Sequence, residues 1–177
     1  DDYFASPNGW LRDKAQMSAL WSGEFALKGL FERPKGIVLA QAAWTLGLLK
    51  KDHQNEWHDL IEDTNPRVRE QALQMLEHFE WKADEASALQ KVLAKLVNEK
   101  DAKVRLQLAC TLGELKFDWA GDLLADVLNS AEPGSPLQGA ALSSVLPHLE
   151  RVCDRTDTKS FAMLLRCALA TKNEKAI

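Results

Sequence analysis

A chain of 177 residues with 46% apolar and 27% charged residues is long enough to bury a core without disulfides or metals, and too apolar to stay disordered. Its formal charge of −4 supplies no clustered positive surface to displace counterions from phosphate, which argues against nucleic-acid binding. Cys110, Cys153 and Cys167 are odd in number and form no CxxC or CxxCH, so neither a zinc knuckle, an attached haem nor a disulfide framework is expected.

The opening DDYFASPNGW has no initiator Met and no basic or apolar leader, so the chain is expected to be a piece of a longer protein. A first helix is predicted in NGWLRDKAQMSAL, with Leu11 as apolar anchor and Asn8 three residues ahead as N-cap. EFALKGLFER (24–33) reads as an amphipathic helix after it. KGIVLAQAAWTL (anchor Val38) and EWHDLIED (56–63) repeat the alternation. NPRVREQALQML follows, with anchor Val68, cap Asn65, and Pro66 at the first helical position, where its missing N–H costs nothing. In ASALQKVLAKLV (86–97), Leu89, Val92, Leu93, Leu96 and Val97 fall at i, i+3, i+4, i+7 and i+8 of a helix. DAKVRLQLACTL (anchor Val104, cap Asp101) and DWAGDLLADVL (118–128) form the next pair. SPLQGAALSSVL (anchor Leu137, Pro136 following Ser135) and SFAMLLRCALA (160–170) close the series. The stretches 129–136 and 154–160 read as loops between helices, too short for domain linkers, and no stretch alternates as a strand.

Successive anchors stand 27, 30, 36 and 33 residues apart. Four residues after them come Ala15, Ala42, Ala72, Leu108 and Ala141, and eight after, Ala19, Leu46, Leu76, Leu112 and Val145. These positions share one side of a helix, and the small residue at +4 lets a neighbouring helix come close. Each pair of helices is then a hairpin that cannot bury its apolar face alone, and stacking solves the problem.

The pattern Asn/Asp-x-x-Val-Arg-x-x-Ala, alternating with an amphipathic helix, resembles HEAT repeats from Leu11 to Leu149, with a further half-repeat from near Ser160. The resemblance implies an all-α, right-handed α-solenoid of about five stacked hairpins without a sheet. Residues 1–177 then form one array, with repeats near 8–33, 34–63, 64–99, 100–130 and 134–171. NGWLRDKAQ, VRLQLACTLGEL and GAALSSVL are also similar to the HEAT segment of multi-domain membrane-bound dehydrogenases of planctomycete-type bacteria. In that family the segment lies between a sugar-dehydrogenase-like propeller and a c-type cytochrome module. This chain carries neither, so the narrower resemblance implies a spacer or docking part, periplasmic or membrane-associated, with no cofactor of its own.

One residue past the anchors stand Arg12, Arg69 and Arg105, each four residues after Asn8, Asn65 and Asp101. A phosphate-binding row is one reading. The other is a structural ladder, in which each guanidinium bonds the cap residue or a carbonyl of an adjacent repeat while its stem covers apolar surface. Leu39 and Gln138 interrupt the series. With the stripe inward, positions +2, +3 and +6 point outward, and the HEAT resemblance places them on the concave wall. The candidate partner-binding residues there are Lys14, Met17, Gln41, Trp44, Glu70, Gln71, Gln74, Leu106, Gln107 and Cys110. Glutamines donate and accept, which suits a protein or peptide, or other domains of the same parent chain, better than phosphate. Trp44 is either an interface anchor or the cover of a packing gap. Trp10, Trp21, Trp57, Trp81 and Trp119 are expected to pack at helix ends.

Catalytic patterns are missing from the sequence. His53 and His58 are five apart rather than i, i+4, His78 and Glu80 cannot share a helical face, and neither GxSxG nor a glycine-rich phosphate loop occurs. Cys110 falls mid-helix, far from the helix N-terminus that would stabilise a thiolate. Asp59, Glu62 and Asp63 read as a solvated face. The expectation is a non-catalytic scaffold without metal, cofactor, nucleic acid or direct membrane insertion. The alternative is a HEAT-like enzyme or nucleic-acid binder in the manner of alkylpurine DNA glycosylases, which would want a basic groove where the outward columns offer Lys14 as their one cation.

Overall fold

The computed structural model describes residues 3–22, 38, 41, 44–45 and 57–171, and every regular element among them is a helix. The predicted helix 24–33, together with Leu39, Ala40, Ala42, Ala43, Leu46 and His53, lies outside the described residues. The chain divides into two compact units, Asp1–Phe79 and Glu80–Ile177.

In the first unit a 3-10 turn, Tyr3–Ala5, leads into α1, Gly9–Ser22. Asn8 starts it, Oδ1 accepting from the Trp10 N–H at 3.0 Å. α2, Trp57–Ile61, buries Trp57, Leu60 and Ile61 and packs on α3, Pro66–Leu76. Asn65 caps α3, its Oδ1 accepting from the Arg67 N–H at 3.0 Å, and Pro66 occupies the first turn. Val68, Ala72 and Leu76 are 0%, 1% and 0% exposed, and buried Leu73 and Met75 widen the stripe. α1 behaves differently. Of its stripe only Ala19 is buried; Leu11 and Ala15 are half-buried. Trp10, Lys14, Met17 and Trp21 recur at i, i+4, i+7 and i+11, opposite Ala19. That placement leaves Trp10 and Trp21 62% and 82% exposed, so these two do not pack at helix ends as expected, whereas Trp57 does.

The second unit holds α4 (Ala83–Leu96), α5 (Ala102–Glu114), α6 (Asp118–Ser130), α7 (Pro136–Ser144), α8 (Leu149–Arg155) and α9 (Thr158–Thr171), with a 3-10 turn at Leu146–His148. Anchor helices meet anchor helices: α5 packs along α7, while α6 packs along α8 and touches α4, and α5 and α6 join the two layers. Val104, Leu108 and Leu112 are fully buried between them, as are Ala141 and Val145. Anchor Leu137 is half-buried. Each such Leu or Val contributes roughly 1.5–3 kcal/mol by leaving water.

The caps fall where the sequence places them. Asp101 accepts from the Lys103 and Val104 N–H groups at 2.9 and 3.2 Å, and the Ser135 hydroxyl accepts from the Gln138 N–H at 3.2 Å. Asp101 thus satisfies two of the four donors that α5 leaves unpaired. Asp101→Ala is expected to lower the unfolding free energy by about 1 kcal/mol, read from the midpoint of a urea titration at unchanged slope.

Two glycines set how closely neighbouring helices within a layer approach. A Cβ on Gly113 would meet Ser144 Cβ at 2.7 Å and its carbonyl oxygen at 2.9 Å. On Gly121 it would meet His148 Cβ at 3.0 Å and Arg151 Cβ at 3.1 Å. The crossing of α5 and α7 therefore has no room for a Cβ at 113, whereas at 121 one would make His148 and Arg151, at the start of α8, give by a few tenths of an ångström.

The end of the unit departs from expectation. The predicted helix 160–170 is present within α9, but the place beside α6 is taken by α8, a helix not predicted. The 3-10 turn Leu146–His148, where Pro147 supplies no N–H and His148 leaves the helical region at φ −121° and ψ 17°, divides α7 from α8. The seven residues of α8 are too few for a 3.6-residue period to register.

Candidate interaction surface

The +1 residues brace turns. Arg12 Nη1 donates to the Ser6 carbonyl at 2.7 Å, and Arg69 Nη1 donates to the carbonyls of Asp63 at 2.7 Å and Thr64 at 3.2 Å. Both arginines thus hold the turn that leads into their own helix. Arg105 does something else: its Nη2 donates to Ser130 Oγ at 2.6 Å, at the far end of α6. Gln138 replaces arginine in α7 and also grips its leading turn, Oε1 accepting from the Gly134 N–H at 2.8 Å. Its Nε2 reaches Ser160 Oγ of α9 at 3.4 Å. In these contacts the guanidinium donors are directed to backbone carbonyls and a hydroxyl.

Beside this frame lie the outward positions. Within the first unit, Trp44, Gln71 and Gln74 come together. The Trp44 Nε1–H donates to Gln71 Oε1 at 3.1 Å, and Gln71 Nε2 donates to Gln74 Oε1 at 3.3 Å. The His78 ring lies 5.2 Å from that of Trp44, tilted by 60°. The half-buried indole is therefore engaged by side chains of α3 and the turn after it. Gln41 Oε1 is buried, with no hydrogen-bond partner among the described residues. Glu70 is half-buried and 3.3 Å from Arg67 Nη1. Lys14 and Met17 lie on the exposed face of α1, with Lys14 Nζ 5.7 Å from the centre of the Trp10 ring.

In the second unit, α5 presents Leu106, 36% exposed, beside half-buried Gln107 and Cys110. Gln107 Nε2 donates to Oγ1 of buried Thr111 at 3.3 Å. α7 continues the wall with exposed Gly139 and Ser143 and half-buried Ala140. These positions on α5 and α7 present amide, thiol, hydroxyl and small apolar groups, and exposed Lys103 and Glu114 bracket them on the same face of α5.

The chemistry elsewhere is spare. Among the described residues no group of three or more His, Cys, Asp or Glu could hold a metal ion. His58 stacks on Trp57 with ring centres 3.5 Å apart, and His148 is buried with Nε2 3.1 Å from the Leu112 carbonyl. Burial pushes the Cys153 thiol up, with Asp154 and Cys167 adding to the shift, so it stays protonated at neutral pH. Among the described residues no helix is long and apolar enough to cross a membrane.

Thr111, Gln138 and His148 are buried polar residues that the sequence reading did not place in any site. Only Gln138 left a signal, since it occupies the register of the recurring arginine. Comparison with protein-family models, curated proteins and solved structures finds no match to this chain.

Proposed function

We propose that the chain is a HEAT-like array of helical hairpins that serves as a non-catalytic docking scaffold or spacer within a larger protein. The observation that carries this reading is the order of packing in the second unit, where α5 lies along α7 and α6 along α8. Hairpins joined in this manner expose the outward sides of successive anchor helices next to one another. On α5 and α7 the positions Leu106, Gln107, Cys110, Gly139, Ala140 and Ser143 are uncharged. Exposed Lys103 and Glu114, of opposite sign, stand at the two ends of the same α5 face, a mixture that suits a polypeptide surface better than a phosphate backbone. In the narrower form of the proposal, the segment sits inside a redox protein and its partners are other domains of the same parent chain.

The test compares two exposed positions on opposite layers, Leu106 on α5 and Lys91 on α4. A photo-crosslinking amino acid is introduced at each in the full-length parent protein in its host cells. Protein adducts are expected from position 106 in clear excess over position 91. Equal yields from the two sites contradict the proposal, and so do adducts to nucleic acid.

A further inference from the structure

α8 and α9 are attached to the second unit differently from the helices before them. α8 has seven residues, well short of the roughly 12–15 that an isolated helix needs. It buries Leu149 and Val152. α9 contributes buried Leu164 and Ala168, while its Phe161, Met163 and Leu169 are 60%, 41% and 56% exposed. The entropic cost of ordering the backbone accrues at every residue, and here few buried side chains offset it. α6, by contrast, buries Leu123, Leu124, Val127 and Leu128 within a single helix.

What supplements this thin apolar contact is a row of polar links from one face of α6, beside the buried bond from Gln138 of α7 to Ser160 of α9. Asp122, Asp126 and Asn129 stand at i, i+4 and i+7. Arg151 Nε and Nη2 donate to Asp122 Oδ1 and Oδ2 at 2.7 and 3.0 Å, a fork-to-fork pair that fixes orientation. Arg155 Nη2 reaches Asp126 Oδ1 at 3.4 Å, and its Nε lies 3.5 Å from Asp122 Oδ1. Asn129 takes the turn between the two helices from both sides, Nδ2 donating to the Arg155 carbonyl at 3.1 Å and Oδ1 accepting from the Asp157 N–H at 2.9 Å. Hydrogen bonding from Arg151 holds the Asp122 carboxyl below its ordinary value, so the pair is fully ionised at neutral pH. Just before α8, the buried His148 ring lies against the Leu112 carbonyl and marks where the better-packed part ends.

We propose that α8 and α9 form a latch that opens as one unit, ahead of α5 and α6, with the Asp122–Arg151 pair as its principal catch. Because Asn129 grips the joint, loosening either helix releases the other. Opening lifts Arg151 from Gly121 and converts a covered face of α6 into an accessible one. Simple fraying of α9 would not depend on Asp122, which bonds α8.

Hydrogen exchange of the full chain, resolved by peptide under native conditions, tests this directly. Peptides within 149–171 are expected to exchange faster than those within 102–130, with one shared opening rate for α8 and α9. Asp122→Asn should speed both helices about 2–5-fold and leave 102–130 unchanged, the range an exposed ion pair supports. Raising the salt to about 0.5 M should act in the same direction, and Arg151→Gln reads the link from its other side. Protection of 149–171 equal to that of 102–130 overturns the proposal. So does acceleration confined to one helix, or exchange indifferent to Asp122→Asn and Arg151→Gln.

Discussion

Leu108→Ala is expected to lower the unfolding free energy by about 2–5 kcal/mol, the largest single-site effect considered for this chain. The substitution creates the residue that α1, α3 and α7 carry at the same register, Ala15, Ala72 and Ala141. Pattern alone would therefore rate it harmless. The structure says otherwise, because Leu108 is 0% exposed and lies between Val104 and Leu112, which are equally buried. Its neighbours have closed around the larger side chain, and removing three carbons leaves a cavity that a tightly packed layer cannot fill. Urea unfolding followed by far-ultraviolet circular dichroism gives the comparison. A loss below about 1 kcal/mol would mean that the site collapses freely and that the packing of α5 is looser than described.

Gly113→Ala is expected to cost about 1–3 kcal/mol, even though alanine is the better helix former by up to ~1 kcal/mol. The new methyl would sit 2.7 Å from Ser144 Cβ and 2.9 Å from its carbonyl oxygen, so α5 and α7 must part. One of those atoms belongs to the backbone and cannot swing aside. Gly139→Ala is the internal control. Gly139 lies within α7 with no atom within 4 Å of an added Cβ, and the same change there should stabilise by roughly 0.5–1 kcal/mol. Opposite signs at two helical glycines would identify steric approach, rather than propensity, as the cause. Equal signs would contradict the close crossing.

How much of this was legible in the sequence depends on the range of the interaction. Caps are settled within three residues, so Asn8, Asn65, Asp101 and Ser135 could be read directly from Asn, Asp or Ser ahead of an apolar run. The stripe at Val68, Ala72 and Leu76 was legible for a similar reason, since helical period alone places those residues on one side. Partners were not legible. Nothing local distinguishes Arg69, which braces its own turn, from Arg105, which reaches Ser130 of another helix. The exposure of Trp10 and Trp21 was equally hidden, because an aromatic residue near a helix end is ordinarily covered by a neighbour, and here the covered side of α1 is that of Ala19. α8 escaped notice because its seven residues are too few for a helical period to register.

The candidate surface was legible only in part. Outward position was inferred from period; Leu106, Gly139 and Ser143 are exposed, whereas Glu70, Gln71, Gln74, Gln107 and Cys110 are half-buried. The hydrogen bonds from Trp44 to Gln71 and from Gln71 to Gln74 depend on side-chain geometry that spacing does not specify. An uncharged stretch such as Leu106, Gln107 and Cys110 is also a weak sequence signal, since it is defined by charges that are missing rather than by a motif that is present.

The central claim is that neighbouring anchor helices share a layer and so align their outward positions into one wall. A nuclear Overhauser spectrum of the isotopically labelled chain tests it most directly. The account predicts strong cross-peaks between the Gly113 α-protons and the Ser144 β-protons, and between the Gly121 α-protons and the Arg151 side chain. Absence of the Gly113–Ser144 peaks in a well-resolved spectrum of the folded chain would contradict it, because α5 and α7 would then not lie side by side.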